Sequence, residues 1–461
     1  MLLTLAQLRD ITGGRLRLAA MPPRHGETTH VGPITTDSRR VQPDMVFWGL
    51  QGPRFDGSCF AEDALVRGAS GVVVGGRDVE PWPGHWSLTV DDGLAALTNL
   101  AAWQRRQFNG RVIAVTGSVG KTTARRMIDT VLSAKFSGTT SPRNFNNHVG
   151  VPLSMLQWEP EHDYAALELG ASAAGEIDQL ARLCRPELGV ITRIGEAHLG
   201  GFGSQEKVAH AKAELLAALP EDGVAILNGD DSWLRRMAQR TSARIVWIGR
   251  GHDCDLTAID LRSIGGKLKF RVGAQRYSIS VWGRHHLIAA LAAIAVGLEF
   301  GMQPREIAAA LAEFEPPEMR CEVTDAVGAK LIDDSYNASP SAMRAALELL
   351  REVDAPGERV VVCGDMKELG SASQAWHRQI GEEVVTRCGA DRLIACGDHA
   401  DDVVLAARAA GMSAARATAF REVQETIPFV QHALRPGSAV LVKGSRAMGM
   451  DRVAQAIRRA A

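Results

Sequence analysis

Short apolar runs that stop at a glycine or a polar residue recur along this chain. Between them, apolar residues return at helical spacing. In the middle of the chain the runs are "VIAVTG" (112–117), "YAALELG" (164–170), "LGVITRI" (188–194), "GVAILNG" (223–229) and "RIVWIG" (244–249). Runs this short, with β-branched residues and a glycine stop, read as buried strands. The segments between them read as helices, as where Met127, Ile128, Val131 and Leu132 share one helical face. Strand and helix in alternation predict a mostly parallel sheet covered on both faces. Residues 255–282 alternate polar and apolar positions around glycines, which predicts an antiparallel hairpin insertion. "HHLIAALAAIAVGLEFG" (285–301) predicts a buried helix ending at Gly301.

The flanking regions differ. "PITTDSRRVQPDMVFWGLQG" carries short strands and turns, and "CFAEDALVRGASGVVVGG" reads as helix, glycine stop and strand. "EPWPGHWS" (80–87) is rich in proline and tryptophan and marks a boundary. "FEPPEMR" breaks the pattern again, and "RVVVCGD" (359–365), "RLIACGD" (392–398) and "AVLVKGS" (439–445) follow as three similar strand ends. They predict a second open α/β sheet, a class that takes ligands at the carboxyl ends of its strands. The expected division is 1–82, 83–313 and 314–461.

Composition narrows the class. The 461 residues are 23% charged and 46% hydrophobic with a net charge of −1. That is ordinary for a soluble globular protein, and the charge gives no support for nucleic-acid or polybasic membrane binding. Seven scattered cysteines without a C-x-x-C pair suggest reduced thiols in a cytoplasm. "MLLTLAQLRDITGG" reads as a small amphipathic helix, not a signal peptide, and no apolar run is long enough for a bilayer.

The strongest chemical signal is "TGSVGKTT". A strand, a glycine turn (Gly117, Ser118, Val119, Gly120) and a helix opening on Lys121, Thr122 and Thr123 make a phosphate cradle. Glycines let backbone N–H groups approach an anion, and the helix N-terminus adds positive potential. Lys121 suits the outer phosphates and the Thr122 hydroxyl suits Mg²⁺. Two residues separate the glycines here, against four in the common nucleoside-triphosphate loop. Glu168 ends an apolar strand, and His198 lies in the glycine-rich "RIGEAHLGGFGS". Each reads either as an ordinary loop residue or as a metal ligand, and their shared place at strand ends of one sheet favours ligation. "SPRNFNNHVGVP" gathers Asn144, Asn146 and Asn147, and "LIDDSYNASPSAMRAAL" places an acidic pair before a capped helix. Singly, both stretches are also ordinary turns and caps.

Together these stretches resemble the Mur ligase family of ATP-dependent amide-bond-forming enzymes over nearly the whole chain. The resemblance rests on "TDSRRV", "TGSVGKTT", "NFNNHVGVP", "ELGASAAGEI", "AHLGGFGSQEKVAHAKAEL", "AILNGDD", "DDSYNASPSAM", "GDMKELG" and "KGSRAMGMDRV". It implies a domain for the uridine nucleotide, a central P-loop-type ATPase and a Rossmann-like C-terminal domain. "NFNN", "DDSYNASP" and "GDMKELG" point to the branch that adds D-Ala-D-Ala to UDP-MurNAc-tripeptide through an acyl phosphate. The sister branches that add one amino acid, and the folylpolyglutamate-type ligases, are the alternative, and a non-catalytic nucleotide-binding paralogue is a further one. By the same resemblance, Thr122, Glu168 and His198 bind magnesium, and Arg320 and Asp334 lie near the phosphates and the ribose. Ser38 and Arg39 serve the uridine end, and Asn144, Asn146 and Asn147 the muramoyl-peptide region. Lys212, otherwise one lysine on an amphipathic helix, aligns with a lysine carbamylated in related ligases and would then hold a second Mg²⁺. Lys121, His198 and Lys212 are the expected catalytic residues, in a cytoplasmic monomer without membrane insertion. Where the family writes "GxHNxxNxxAA" beside adenine, this chain has "GRHHLIAALAA", so His286 and Ala289 replace two asparagines.

Overall fold

The computed structural model describes residues 3–19, 26–52, 55–142 and 144–459. Three sheets, of five, nine and six strands, organise a mixed α/β chain. The chain divides into two compact units. One comprises 1–114, 136–170 and 178–187; the other comprises 115–135, 171–177 and 188–461.

The first unit contains the five-stranded sheet, in the order Arg15–Leu18, Trp86–Val90, Gly71–Gly75, Val46–Trp48, Ile34–Thr35. All neighbours are parallel except the first pair. Strand alternation sends consecutive side chains to opposite faces. Val46, Trp48 and Val73 therefore join one core with Leu5, Leu8, Leu97 and Leu100, while Phe47, Val72 and Val74 join another with Ala61 and Leu65. The amphipathic N-terminal reading holds: Leu5–Thr12 is a helix with a Thr4–Gln7 capping box, stopped by Gly13 at φ +68°. The boundary expected after residue 82 falls inside this sheet, because Trp86–Val90 pairs on both sides within it. The proline- and tryptophan-rich stretch is a turn between two of its strands, and the next helix, Gly93–Gln107, packs Leu97 and Leu100 onto it.

In the second unit, Leu188–Ile191, Val224–Asn228 and Arg244–Gly249 run parallel. Leu256–Ile264, Lys267–Val272 and Gln275–Ile279 then form the expected antiparallel insertion, turning at Gly265 and Gly266, both at positive φ. The helix Leu287–Glu299 is almost wholly buried. The six-stranded sheet has the order Glu322–Ala326, Ala329–Asp334, Ala439–Lys443, Arg359–Gly364, Arg392–Cys396, Ala417–Phe420, antiparallel only at its first pair. The last strand thus inserts between Ala329–Asp334 and Arg359–Gly364. That insertion makes a switch point at which the carboxyl ends Asp334 and Lys443 stand side by side.

All seven cysteines are free, and Cys59 alone is exposed. Among the described residues no helix is long and apolar enough to cross a membrane.

Candidate active site

The glycine turn forms because the strand Arg111–Thr116 must hand over to the helix Lys121–Ser133 within four residues. Gly117 at φ +141° and Gly120 at φ +88° take conformations that other residues rarely adopt. A Cβ on Gly117 would lie 2.2 Å from Thr192 Oγ1. The turn is held from behind by the chain that leaves the next strand. Thr192 Oγ1 donates to the Val119 carbonyl at 2.6 Å, and Ser118 N donates to the Arg193 carbonyl at 2.8 Å. The N-terminus of the following helix adds positive potential beside the turn, an arrangement that suits an anion. Lys121 Nζ donates to the Gly117 carbonyl at 2.9 Å, folded back over the turn it would use to reach a phosphate.

Lys212 is the last residue of the helix Gln205–Lys212, and it is only 1% exposed. Val208, Ala211 and Lys212 share the buried face of this helix, so the lysine points inward, not along the solvent face. Its Nζ donates to the Ala171 carbonyl at 3.2 Å and lies 5.5 Å from the Phe202 ring centroid. Burial, with Lys121 acting in the same direction, pulls its pKa down to about 7. A substantial fraction of the amine is therefore neutral near pH 7, the form able to attack CO₂.

His198 sits at φ +60° before the four-residue helix Leu199–Phe202, with Nδ1 against the Glu368 carboxylate. Burial holds its pKa below the ordinary imidazole value, opposed by Glu368 and reinforced by Lys121 and Lys212. The same electrostatic neighbourhood thus joins Lys121, His198 and Lys212. Thr122 Oγ1 accepts from Arg320 at 3.2 Å, and the Arg320 guanidinium stacks over Tyr336 at 4.2 Å. At the switch point, Asp334 Oδ2 accepts from Lys443 Nζ at 2.5 Å and Oδ1 accepts from Cys321 N at 3.2 Å. His286 and Thr123 are buried, and Ala289 lies in the apolar body of its helix.

In the first unit, Glu168 is buried at the end of the strand Tyr164–Glu168 and accepts from Asn146 Nδ2 at 2.9 Å. Asn147 Oδ1 accepts from the Val149 and Gly150 amides, so this side chain caps the helix Gly150–Met155. The Asn144 carbonyl accepts from Asn146 N at 2.8 Å. Ser38 opens a 3₁₀ turn capped by Asp37, and Arg39 forms a two-point ion pair with Asp37 while remaining largely exposed.

Sequence reasoning passed over Lys443, Glu368, and the cluster in which Arg344 pairs with Glu196 at 3.4 Å and Glu383 at 3.0 Å. Lys443 had a visible signal: it ends an apolar run as Glu168 does, and a charge placed there needs a partner. Glu368 and Arg344 had none, because their partners are distant in sequence.

The Mur ligase middle-domain model matches residues 115–297, and the model of the Mur ligase glutamate ligase domain matches 319–446. UDP-N-acetylmuramoyl-tripeptide–D-alanyl-D-alanine ligase of Escherichia coli K12 is 36% identical, with 98% of both chains covered. The Bacillus subtilis 168 enzyme of that name is 34% identical, with 93% of both covered. Among solved structures, MurF from Acinetobacter baumannii superposes with TM-score 0.87 at 29% identity, covering 99% of each chain. The MurF ligase of Thermotoga maritima in complex with ADP gives TM-score 0.81 at 27% identity, over 93% of this chain and 98% of that one.

Proposed function

As the chain belongs to the Mur ligase family, we propose that it joins D-alanyl-D-alanine to UDP-N-acetylmuramoyl-tripeptide at the expense of ATP, making the pentapeptide precursor of peptidoglycan. The observation that carries this reading is the glycine turn with Lys121 folded over it, in the same charged neighbourhood as the buried Lys212 and His198. The two full-length relatives of that name support the choice of substrate.

A carboxylate is a poor electrophile until an oxygen becomes a leaving group. Transfer of the γ-phosphoryl group to the tripeptide carboxylate supplies that, and the amine of the dipeptide then displaces phosphate. Lys121 and the helix amides hold the transferring charge in place, so little reorganisation is needed in the transition state. Arg320 adds a second cation beside Thr122. Thr122, Glu168 and His198, with Lys212 as a carbamate, are assigned to Mg²⁺ on the family resemblance; the hydroxyl and carboxylate oxygens are its natural donors. Magnesium supplies charge neutralisation between the triphosphate and the attacking carboxylate. The buried amine of Lys212 fits this role once CO₂ has converted it to an anionic oxygen donor. Asp334, held by Lys443, is assigned to a ribose hydroxyl. Ser38, Arg39, Asn144, Asn146 and Asn147 are assigned to the uridine and muramoyl-peptide end, and His286 to the adenine side. Three domains are assigned, 1–82, 83–313 and 314–461, with the strand Trp86–Val90 paired into the first sheet. The enzyme acts as a cytoplasmic monomer.

The test is a substrate panel on the purified protein with ATP and Mg²⁺, using tripeptides ending in diaminopimelate or lysine. ADP release and the mass of the amide product are followed with D-Ala-D-Ala, single amino acids or glutamate as acceptor. Amide formation with D-Ala-D-Ala alone is expected. Stimulation by a single amino acid, or no amide with any acceptor, overturns the assignment.

A further inference from the structure

His285, His286 and Cys321 lie outside the phosphate chemistry, yet their potential ligand atoms all fall within 4.8 Å of one another. Cys321 Sγ is 3.4 Å from His285 Nε2, and the two imidazole centroids are 4.1 Å apart. A tetrahedral zinc ion, with bonds of about 2.3 Å to sulfur and about 2.0 Å to nitrogen, sets its sulfur and nitrogen ligands about 3.5 Å apart. The sulfur–nitrogen spacing already matches that value. An S–H···N contact accounts for one pair, but it does not account for a second imidazole brought to the same point.

The surroundings add two observations. Cys321 is held at φ +53°, a costly conformation for this residue type, with its amide tied to Asp334. His286 and Cys321 are buried while His285 is exposed, so the cluster opens to solvent on one side. His286 and Cys321 also line a cavity of about 350 Å³ together with Trp282, Pro316 and Arg320.

We infer that His285, His286 and Cys321 form a binding site for a borderline-soft divalent metal ion, zinc in the first instance, with a water as fourth ligand. On binding, one bond to sulfur and two to imidazole nitrogens form, the thiol proton passes to solvent, and the ion sheds the corresponding waters. Sulfur and two imidazoles select zinc or cobalt over magnesium, which prefers oxygen. Asp334 favours the added charge, while Arg320 and Lys443 oppose it. A further consequence rests on the nucleotide reading above: fixing Cys321 also fixes Arg320, the residue that reaches Thr122.

The experiment uses the full-length protein stripped of metal with a chelator and titrated with Co²⁺. Tetrahedral cobalt absorption in the visible and a thiolate-to-cobalt band in the near ultraviolet are expected, both displaced by zinc. Cys321→Ser should abolish the thiolate band, and His285→Ala should weaken binding at least about tenfold. Cys254→Ser serves as the control for another buried thiol and should leave the band in place. Melting curves establish that each variant is folded, and His286→Asn supplies a second ligand deletion with a residue of similar polarity. No thiolate band in the wild-type protein, or a band that survives Cys321→Ser, overturns the site. In a separate arm, zinc should shift KM for ATP in the wild type and not in Cys321→Ser. An unmoved KM with zinc bound overturns the link to the nucleotide and leaves the metal site standing.

Discussion

Lys212 shows what a single side chain can hide. In sequence it is one lysine near apolar positions, and surface exposure is the ordinary fate of such a residue. Only the resemblance singled it out, although its place four residues after Val208 puts it on the buried face of its helix. Its lowered pKa fixes a sign. Between about pH 7 and the unfolded value of 10.5 the unfolded state binds more protons, so stability rises with pH across that window. Below it the full cost of a buried ammonium remains, on the order of 5 kcal/mol. Lys212→Met should therefore stabilise the protein most below pH 7, and the gain should shrink towards pH 10.5. Urea melts at several pH values read this directly, and a pH-independent gain would contradict the burial. For catalysis, Lys212→Ala should lose most turnover and regain part of it with added short carboxylates. The exposed Lys207→Ala should be nearly silent. Full activity in Lys212→Ala would remove the carbamate from the mechanism. The glycine turn, by contrast, was legible residue by residue, because a φ of +141° at Gly117 leaves few alternatives. Gly117→Ala combines that φ with a methyl group against Thr192 Oγ1, and should cost about 1–3 kcal/mol along with ADP binding. A variant that binds ADP normally, by calorimetry, would show that the turn relaxes more easily than its geometry implies.

At the scale of elements, the parallel strands announced themselves through apolar runs, and the insertion at 255–282 through its alternation. Boundaries between domains were harder. Pro81, Trp82 and Pro83 signal a turn, and a turn inside a sheet carries the same punctuation as one between domains. The pairing of Trp86–Val90, a long-range property, is what puts this strand in the first sheet. Asn147 teaches a related point: within an asparagine-rich loop its Oδ1 accepts from the Gly150 amide at the start of a helix, a local role that the composition of the loop does not reveal. The helix Pro340–Glu352 left two serines as candidate caps, Ser339 and Ser341, and it is Ser339 Oγ that accepts from Ala342 N, ahead of a proline at the first helical position. Ser339→Ala should cost about 1 kcal/mol in a denaturation experiment. Because the cap is only 8% exposed, little water is available to replace it. No measurable loss would mean that the proline alone sets the helix start.

For the molecule as a whole, the chemistry-bearing pairs join segments far apart in sequence: Thr122 with Arg320, His198 with Glu368, Asp334 with Lys443. Motifs can locate one end of such a pair, but the partner is supplied by topology. The switch point makes this plain. Asp334 and Lys443 are 109 residues apart and meet because the last strand inserts between two earlier ones. Such insertion is invisible to periodicity, which sees strands but not their order.

The cysteines turn this architecture into its own chronometer. One thiol faces water and six are shut inside, spread over both units from Cys184 to Cys396. A colourless disulfide reagent that releases a dye on reaction should consume Cys59 at once and then slow sharply. Each later step would record the opening of the region around one buried sulfur, so mass mapping of the labelled peptides would rank the regions by how often they breathe. A single fast phase consuming all seven thiols would refute the burial.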